Sequence, residues 1–306
     1  MNFKITILGS GSAAPTLRNF PSAQVLELGS DYYLIDCGEG TQYRLLEQRI
    51  RPGRLKGIFI THLHGDHYFG LFGLLTSLSL GQRTEDLHLF GPRGLSEILR
   101  EVFRQSDTRL THRLHFTEID ATKTSVIFET PLFTVSAFPL LHRISCTGFL
   151  FREKIGSFRL IKEKLLPEMT PEHFKMLKQG LDVLDLHGKT LYASADYTLP
   201  PHPARSYAYC SDTVYLPALA ELLQGVDYIY HEATFRDDQS ARALKTFHST
   251  AKQAATIARD AGAIRLLIGH FSSRYLETSP SIEEARTVFP ETYFAEEGQS
   301  FDIPVR

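Results

Sequence analysis

Six consecutive residues, His62-Leu63-His64-Gly65-Asp66-His67, carry three imidazoles and a carboxylate. The apolar run Gly57 to Ile60 leads through Thr61 straight into this cluster. A loop leaving a buried strand can aim His62 and His64 at one cation. The turn at Gly65 then lets Asp66 and His67 face a second cation beside it. Imidazole and carboxylate donors suit zinc, with other divalent transition metals also compatible. Three further polar residues, His142, Asp212 and His270, each follow an apolar run. They should therefore land on the rim where strands empty into loops. The resulting assignment places His62, His64 and His142 on one zinc, and Asp66, His67 and His270 on the other. Asp212 bridges the two, because a carboxylate has two oxygens to share. Two zinc ions per chain, about 3.5–4 Å apart, would clamp a phosphoryl or acyl oxygen and activate water at neutral pH.

The rest of the chain must hold these donors. Its 306 residues, 42% hydrophobic and 22% charged, can bury a real core in one large domain or two modest ones. The net charge of −2 rules out a general polycation, so nucleic acid would need a local basic patch. Three widely separated cysteines, Cys37, Cys146 and Cys210, make no disulfide framework and point to a reducing compartment, the cytoplasm. Met1 to Pro15 reads as a strand and a Gly/Ser loop, without the pattern of a signal peptide. The most apolar run, Tyr68 to Leu80, is shorter than the ~20 residues of a membrane span, so no membrane role is expected.

Period-two alternation at Phe3, Ile5 and Ile7 predicts a first strand, followed by a hairpin from Gln24 to Ile35. A short helix is expected over Gly40 to Gln48, and a longer one from Tyr68 or Phe69. Strands are expected near Leu87, Leu114, Val126, Phe133, Thr147, Tyr207, Asp227 and Arg265. Helices are expected over Leu95 to Arg104, Leu216 to Leu223, Thr250 to Ala261 and Ser279 to Val288. Hairpin-linked strands in the first half and alternating elements later specify an α/β sandwich with mixed sheets. One domain over residues 1–306 is expected, with an insertion over 152–185 that is charged and weakly periodic, and a core that resumes at Thr190.

Several segments share a family pattern. They include Leu8 to Ser12 with Pro15-Thr16 and Arg18-Asn19, Asp36 to Gln42, and Thr61 to Leu71. They continue with Pro200 to Thr213, His231-Glu232-Ala233-Thr234-Phe235 and His248-Ser249-Thr250-Ala251. The chain resembles the metallo-β-lactamase superfamily and, within it, the ribonuclease Z family of tRNA 3′-end endonucleases. Leu17 stands where that family's N-terminal loop carries a lysine, and Leu166 to Glu172 replaces a Gly-Pro-rich arm tip.

The resemblance implies an αββα metallo-β-lactamase sandwich with a dinuclear zinc site on one edge and an inserted arm. It implies a homodimer that removes the 3′ trailer from precursor tRNA, leaving a tRNA 3′-hydroxyl and a trailer 5′-phosphate. Asp66 would position the attacking water, and His248 would protonate the leaving oxygen. Glu232 would either orient His248 or hold a backbone turn. Asp36 would either bond a ligand histidine or simply end a strand. Arg18 and Asn19 would meet the substrate, as would Arg159, Lys162, Lys164, Lys175 and Lys178 of the arm. Between Arg152 and Gly180, seven basic residues face four acidic ones, a local excess of +3. His88, His112, His115, His173, His187 and His202 read as surface or loop residues. Two rivals remain: a phosphodiesterase or arylsulfatase of the same fold acting on a small substrate, and a non-catalytic RNA-binding protein.

Overall fold

The computed structural model describes residues 2–13, 16–17, 19–275 and 277–306. It divides into two compact units, the first made of Met1–Arg152 and Ser206–Pro304. In that unit β1 (Phe3–Gly9), β2 (Ala23–Leu28) and β3 (Asp31–Ile35) form an antiparallel meander. The strands β4 (Leu55–Phe59), β5 (Leu87–Pro92) and β6 (Leu114–Ile119) continue the sheet in parallel from β3. The second sheet begins with β7 (Ser125–Glu129), β8 (Phe133–Leu140) and β9 (Cys146–Glu153). Four two- or three-residue strands follow: β10 (Arg159–Leu160), β11 (Val183–Leu184), β12 (Thr190–Tyr192) and β13 (Thr198–Leu199). The second sheet then resumes with β14 (Ser206–Cys210), β15 (Tyr228–Glu232), β16 (Arg265–Gly269) and β17 (Thr292–Phe294), mutually parallel. Finally β18 (Ser300–Asp302) returns to the first sheet beside β1, so each sheet has seven strands.

The two sheets face each other across an aromatic-rich core. Ile5, Ile7, Leu26, Phe59 and Phe90 meet Val135, Phe149, Phe151, Tyr207 and Tyr230 there. The Phe59 ring lies 5.5 Å from that of Phe149 and 5.3 Å from that of Phe151. The outer face of the first sheet buries Val25, Leu34, Ile58 and Leu89 against Leu71, Leu74 and Leu75 of the helix Gly70–Leu80. The outer face of the second buries Ala208, Ile229 and Ile268 against Ala254, Ile257 and Ala258 of the helix Ala251–Asp260. Both faces of the central strands are thus covered, which explains continuous apolar runs such as Leu266-Leu267-Ile268. Each such side chain stabilises the fold by roughly 1.5–3 kcal/mol. The layers are helix, sheet, sheet, helix, as the sequence predicts.

Two elements differ from expectation. The helix after the histidine cluster starts early: Gly65–Tyr68 forms one turn before Gly70–Leu80. Glycine and aspartate are weak helix formers, so tertiary bonds set this turn. The Cys37 N–H donates to the His67 carbonyl at 2.7 Å, and the Gly70 N–H to the Cys37 carbonyl at 2.9 Å.

The second unit, Glu153–Arg205 with Val305–Arg306, is longer than the predicted insertion. Residues 190–205 belong to it, because β12 pairs with β11 and β13 with β10. It has its own small core of Met169, Leu177, Val183 and Tyr192. The helix Pro171–Lys178 within it starts at a capping box between Thr170 and His173. The Arg205 guanidinium forks onto Glu153 at 2.6 and 2.9 Å, fastening the two ends of the unit. Residues 153–205 hold eight basic and seven acidic residues, so the positive excess is confined to the early part. Among the described residues no helix is long and apolar enough to cross a membrane.

Candidate metal centre

Strand ends of the first unit deliver the predicted donors to one place. Asp36 follows β3, the His62–His67 cluster follows β4, His142 follows β8, Asp212 follows β14, and His270 follows β16. Asp36 and His270 adopt left-handed backbone, with φ of 55° and 59°. Such geometry costs on the order of 1–3 kcal/mol in a non-glycine residue, so surrounding bonds must enforce it. For His270 one is its N–H, which donates to the Ser10 carbonyl at 2.7 Å.

The donor atoms fall into two sets. His64 Nδ1 lies 3.1 Å from His62 Nε2 and 3.2 Å from His142 Nε2. Asp212 Oδ2 stands 3.7 Å from His62 Nε2 and 3.8 Å from His142 Nε2. The other oxygen, Asp212 Oδ1, stands 3.5 Å from His67 Nε2 and 3.2 Å from His270 Nε2. Asp66 Oδ2 lies 3.5 and 3.6 Å from the same two nitrogens. A tetrahedral ion bound at ~2.0–2.1 Å has donor-to-donor edges of about 3.3 Å, so both sets fit. His67 Nε2, Asp212 Oδ1 and His270 Nε2 are also buried without any hydrogen-bond partner. Buried polar atoms are rarely left so, and a cation would satisfy all three. The donor chemistry is that of a divalent metal site. A third set within 4.8 Å, Asp212, His248 and His270, shares two members with these.

A supporting layer orients these donor atoms. His67 Nδ1 is 2.8 Å from Asp36 Oδ2, and His142 Nδ1 is 2.9 Å from the Phe247 carbonyl. Both partners only accept, so each ring holds a proton on Nδ1 and presents Nε2 to the cluster. Asp36 follows β3, and its buried carboxylate also takes the Thr61 N–H at 2.9 Å and the Tyr209 hydroxyl at 3.1 Å.

Electrostatics agree with neutral imidazoles on the first set. Burial, with repulsion from its neighbours, pushes His62 well below the ordinary histidine value. Burial likewise lowers His64 and His142 against the pull of Asp212. At His67 burial also opposes the charge, but Asp66, Asp212 and Asp36 outweigh it and raise the pKa to about 10. Asp66 is opposed by burial too, yet His67, His270 and the Ala13 N–H, 2.8 Å from Oδ2, hold it well below the carboxylate range.

Beside the cluster stands an ion pair. His248 Nδ1 lies 3.0 Å from Glu232 Oε1. Burial opposes the imidazolium, but Glu232 overrides it and raises the His248 pKa to about 9. Burial opposes the Glu232 carboxylate as well, and His248 holds it below its ordinary range. Glu232 is fully buried and takes four further hydrogen bonds. Oε1 accepts the Thr213 and Ser249 N–H groups at 3.1 and 2.9 Å, and Oε2 accepts the Thr234 N–H and hydroxyl at 2.9 and 2.8 Å. It thus contacts His248 and also holds the backbone around it.

A cleft of about 520 Å³ opens over these groups, and Asp66, His142, Asp212 and His248 line it. Its mouth adds two residues that the sequence reading passed over, Arg143 and the 56%-exposed Phe69. Their positions next to His142 and after His67 were the available signal. Thr234 was also missed as an individual residue, although it lies within the segment His231 to Phe235. Arg18 lies outside the described residues. Asn19 lines a separate cavity with Thr16 and Phe271, and its N–H bonds Thr16 Oγ1 at 2.9 Å. Arg159, Lys162, Lys164, Lys175 and Lys178 are exposed residues of the second unit, with Arg159 Nε bonded to the Pro200 carbonyl at 3.0 Å. His112 lies in the loop before β6, as expected, but is buried there, with Nδ1 3.5 Å from the Ser79 hydroxyl.

Known proteins share this architecture. A family model described as "Beta-lactamase superfamily domain" matches residues 181–271, and one described as "Anti-Pycsar protein Apyc1" matches residues 3–159. The ribonuclease Z of Cytophaga hutchinsonii is 45% identical over 306 residues, covering 100% of this chain and 98% of that protein. The ribonuclease Z of Bacteroides fragilis is 44% identical, covering 96% and 97%. The crystal structure of the short form of human tRNase Z superposes with a TM-score of 0.71 at 28% identity, covering 98% of this chain and 99% of that one. The metallo-β-lactamase fold protein YhfI of Bacillus subtilis superposes at 0.70 with 18% identity, a likeness of fold alone. Fold and cluster together define a hydrolase of the metallo-β-lactamase superfamily with a site for a divalent metal. The chain belongs to the ribonuclease Z family.

Proposed function

We propose that the protein is an endoribonuclease that cuts precursor tRNA just after the discriminator base, leaving a tRNA 3′-hydroxyl and a trailer 5′-phosphate. One observation carries this reading: the whole donor cluster is intact in a chain that matches ribonuclease Z from end to end. The metal is zinc, two ions per chain. His62, His64 and His142 would hold one, Asp66, His67 and His270 the other, and Asp212 would serve both. Bound there, the pair supplies water activation at neutral pH and neutralises charge on the phosphoryl oxygens.

The chain's own residues supply orientation and proton transfer. Asp66 accepts a hydrogen bond from the attacking water and points it at phosphorus. His248, charged at neutral pH, gives the proton on its other ring nitrogen, Nε2, to the departing 3′ oxygen. Glu232 keeps Nδ1–H in place during that transfer. The exposed cations Arg159, Lys162, Lys164, Lys175 and Lys178 hold the phosphate backbone of the tRNA without reading its bases, and Arg18 and Asn19 meet its 3′ end. The inserted unit acts as an arm, and a homodimer lets one subunit's arm grip the tRNA that the other cuts. The substrate places the enzyme in the cytoplasm.

The test is cleavage of a precursor tRNA transcript before and after metal removal. Cleavage should stop in chelator and return with zinc. Cleavage indifferent to chelator would contradict the metal assignment, and intact RNA with zinc-loaded protein would contradict the function.

A further inference from the structure

Three groups meet at the buried hydroxyl of Thr234. Oγ1 lies 2.8 Å from Glu232 Oε2, 2.9 Å from His270 Nδ1 and 3.2 Å from His248 Nδ1. A hydroxyl has one proton to give and two lone pairs to fill. The ionised Glu232 carboxylate only accepts, so the Thr234 proton goes to Oε2. The lone pairs of Oγ1 then accept the ring N–H of His270 and share the His248 Nδ1–H with the nearer Glu232 Oε1. Two consequences follow from this direction of donation.

The first falls on His270. Its proton is fixed on Nδ1, so the Nε2 lone pair faces Asp212 Oδ1 at 3.2 Å and Asp66 Oδ2 at 3.6 Å. The second falls on Glu232. Its carboxylate is pinned through Oε2 by both the hydroxyl and the N–H of Thr234, which turns Oε1 toward His248. We propose that Thr234 is a positioning residue that joins the metal ligand His270 to the Glu232–His248 pair, setting the tautomer of the first and the orientation of the second. This rests on reading the cluster as a zinc centre and His248 as the proton donor.

The substitutions Thr234→Ser and Thr234→Ala differ from each other only in the hydroxyl, and Thr234→Val keeps the threonine shape without it. Zinc binding is measured on the purified proteins by competition with a chromophoric chelator. Loss of a group that orients a metal ligand typically weakens binding about 10- to 100-fold. Thr234→Ala and Thr234→Val should therefore bind one of two zinc ions about 10- to 100-fold more weakly, while Thr234→Ser stays close to the parent protein. With zinc saturating, Thr234→Val should also slow precursor tRNA cleavage more than hydrolysis of bis(p-nitrophenyl) phosphate, whose leaving group needs no proton. Unchanged zinc affinity in both Thr234→Ala and Thr234→Val would overturn the assignment. So would a serine variant as weak as the alanine one, since the methyl group would then be what matters. If the parent protein binds no zinc, the metal reading itself fails. If it binds zinc but leaves precursor tRNA intact, the functional reading fails and the competition still decides the role of Thr234.

Discussion

Replacing Glu232 by glutamine removes one charge and almost no volume. In the parent protein, the carboxylate raises the His248 pKa from the ordinary 6.5 to about 9 against the effect of burial. At ~1.36 kcal/mol per pKa unit, the net shift favours the charged imidazole by about 3 kcal/mol. Without Glu232, only Asp212 opposes burial and the repulsion of His67, and the His248 pKa falls back toward its ordinary value. At that value the protonated fraction at pH 7.5 falls from nearly all to roughly one tenth. Single-turnover cleavage of precursor tRNA by Glu232→Gln should therefore drop by up to about tenfold at pH 7.5. Its alkaline limb should move from near 9 down toward 6.5. Hydrolysis of bis(p-nitrophenyl) phosphate should show no such limb in either protein. The stability effect has a defined window. The raised pKa of His248 stabilises the fold at low pH, and this is lost as pH rises through about 9. The lowered pKa of Glu232 stabilises it above the ordinary carboxylate range and is lost as pH falls. Between those limits Glu232→Gln also turns an amide NH2 toward buried donors, which costs on the order of 1–3 kcal/mol and should lower the melting temperature. A Glu232→Gln enzyme whose alkaline limb stays near 9 would refute the proposed proton donor and its partner.

Three further outcomes are expected. Asp212→Ala should lose metal at both sites, because its two oxygens face different donor sets; two tightly held ions by metal analysis of that variant would contradict the bridge. His67 carries a proton at neutral pH in the metal-free protein, with a pKa of about 10. Zinc taking its Nε2 should therefore release about one proton from it at pH 7.5, readable by calorimetry in two buffers of different ionisation heat; affinity should weaken as pH falls. Replacing Lys154–Ala204 by a short Gly/Ser link spans ends already fastened by the Glu153–Arg205 fork. Hydrolysis of the small diester should survive. Affinity for precursor tRNA should fall, and its salt dependence should flatten by up to ~0.7–0.9 per lost phosphate contact. Unchanged affinity and slope would mean the unit is not the RNA grip.

The cluster His62 to His67 was readable because consecutive donors at a strand end have little use other than metal or surface, and the apolar run before them excluded surface. His142, Asp212 and His270 were legible as donors because each comes within two residues of a strand end. The layers followed from strands apolar on both faces, as in Leu266 to Ile268. The extent of the second unit was not readable. Its strands are two or three residues long, too short to show a period, and its boundary rests on the Glu153–Arg205 contact between residues far apart in sequence. The early helical turn at Gly65 depends on hydrogen bonds to Cys37, which local propensity does not register. Thr234 and the double duty of Glu232 were hidden likewise, since a hydroxyl or carboxylate shows its partners only after three loops have come together.

Both ends produced from one precursor tRNA by zinc-loaded protein can be mapped at single-nucleotide resolution. A single cut after the discriminator base is expected, with a 3′-hydroxyl on the tRNA and a 5′-phosphate on the trailer, because the proton from His248 goes to the 3′ oxygen. A cut elsewhere, or a trailer beginning with a 5′-hydroxyl, would contradict the proposed function.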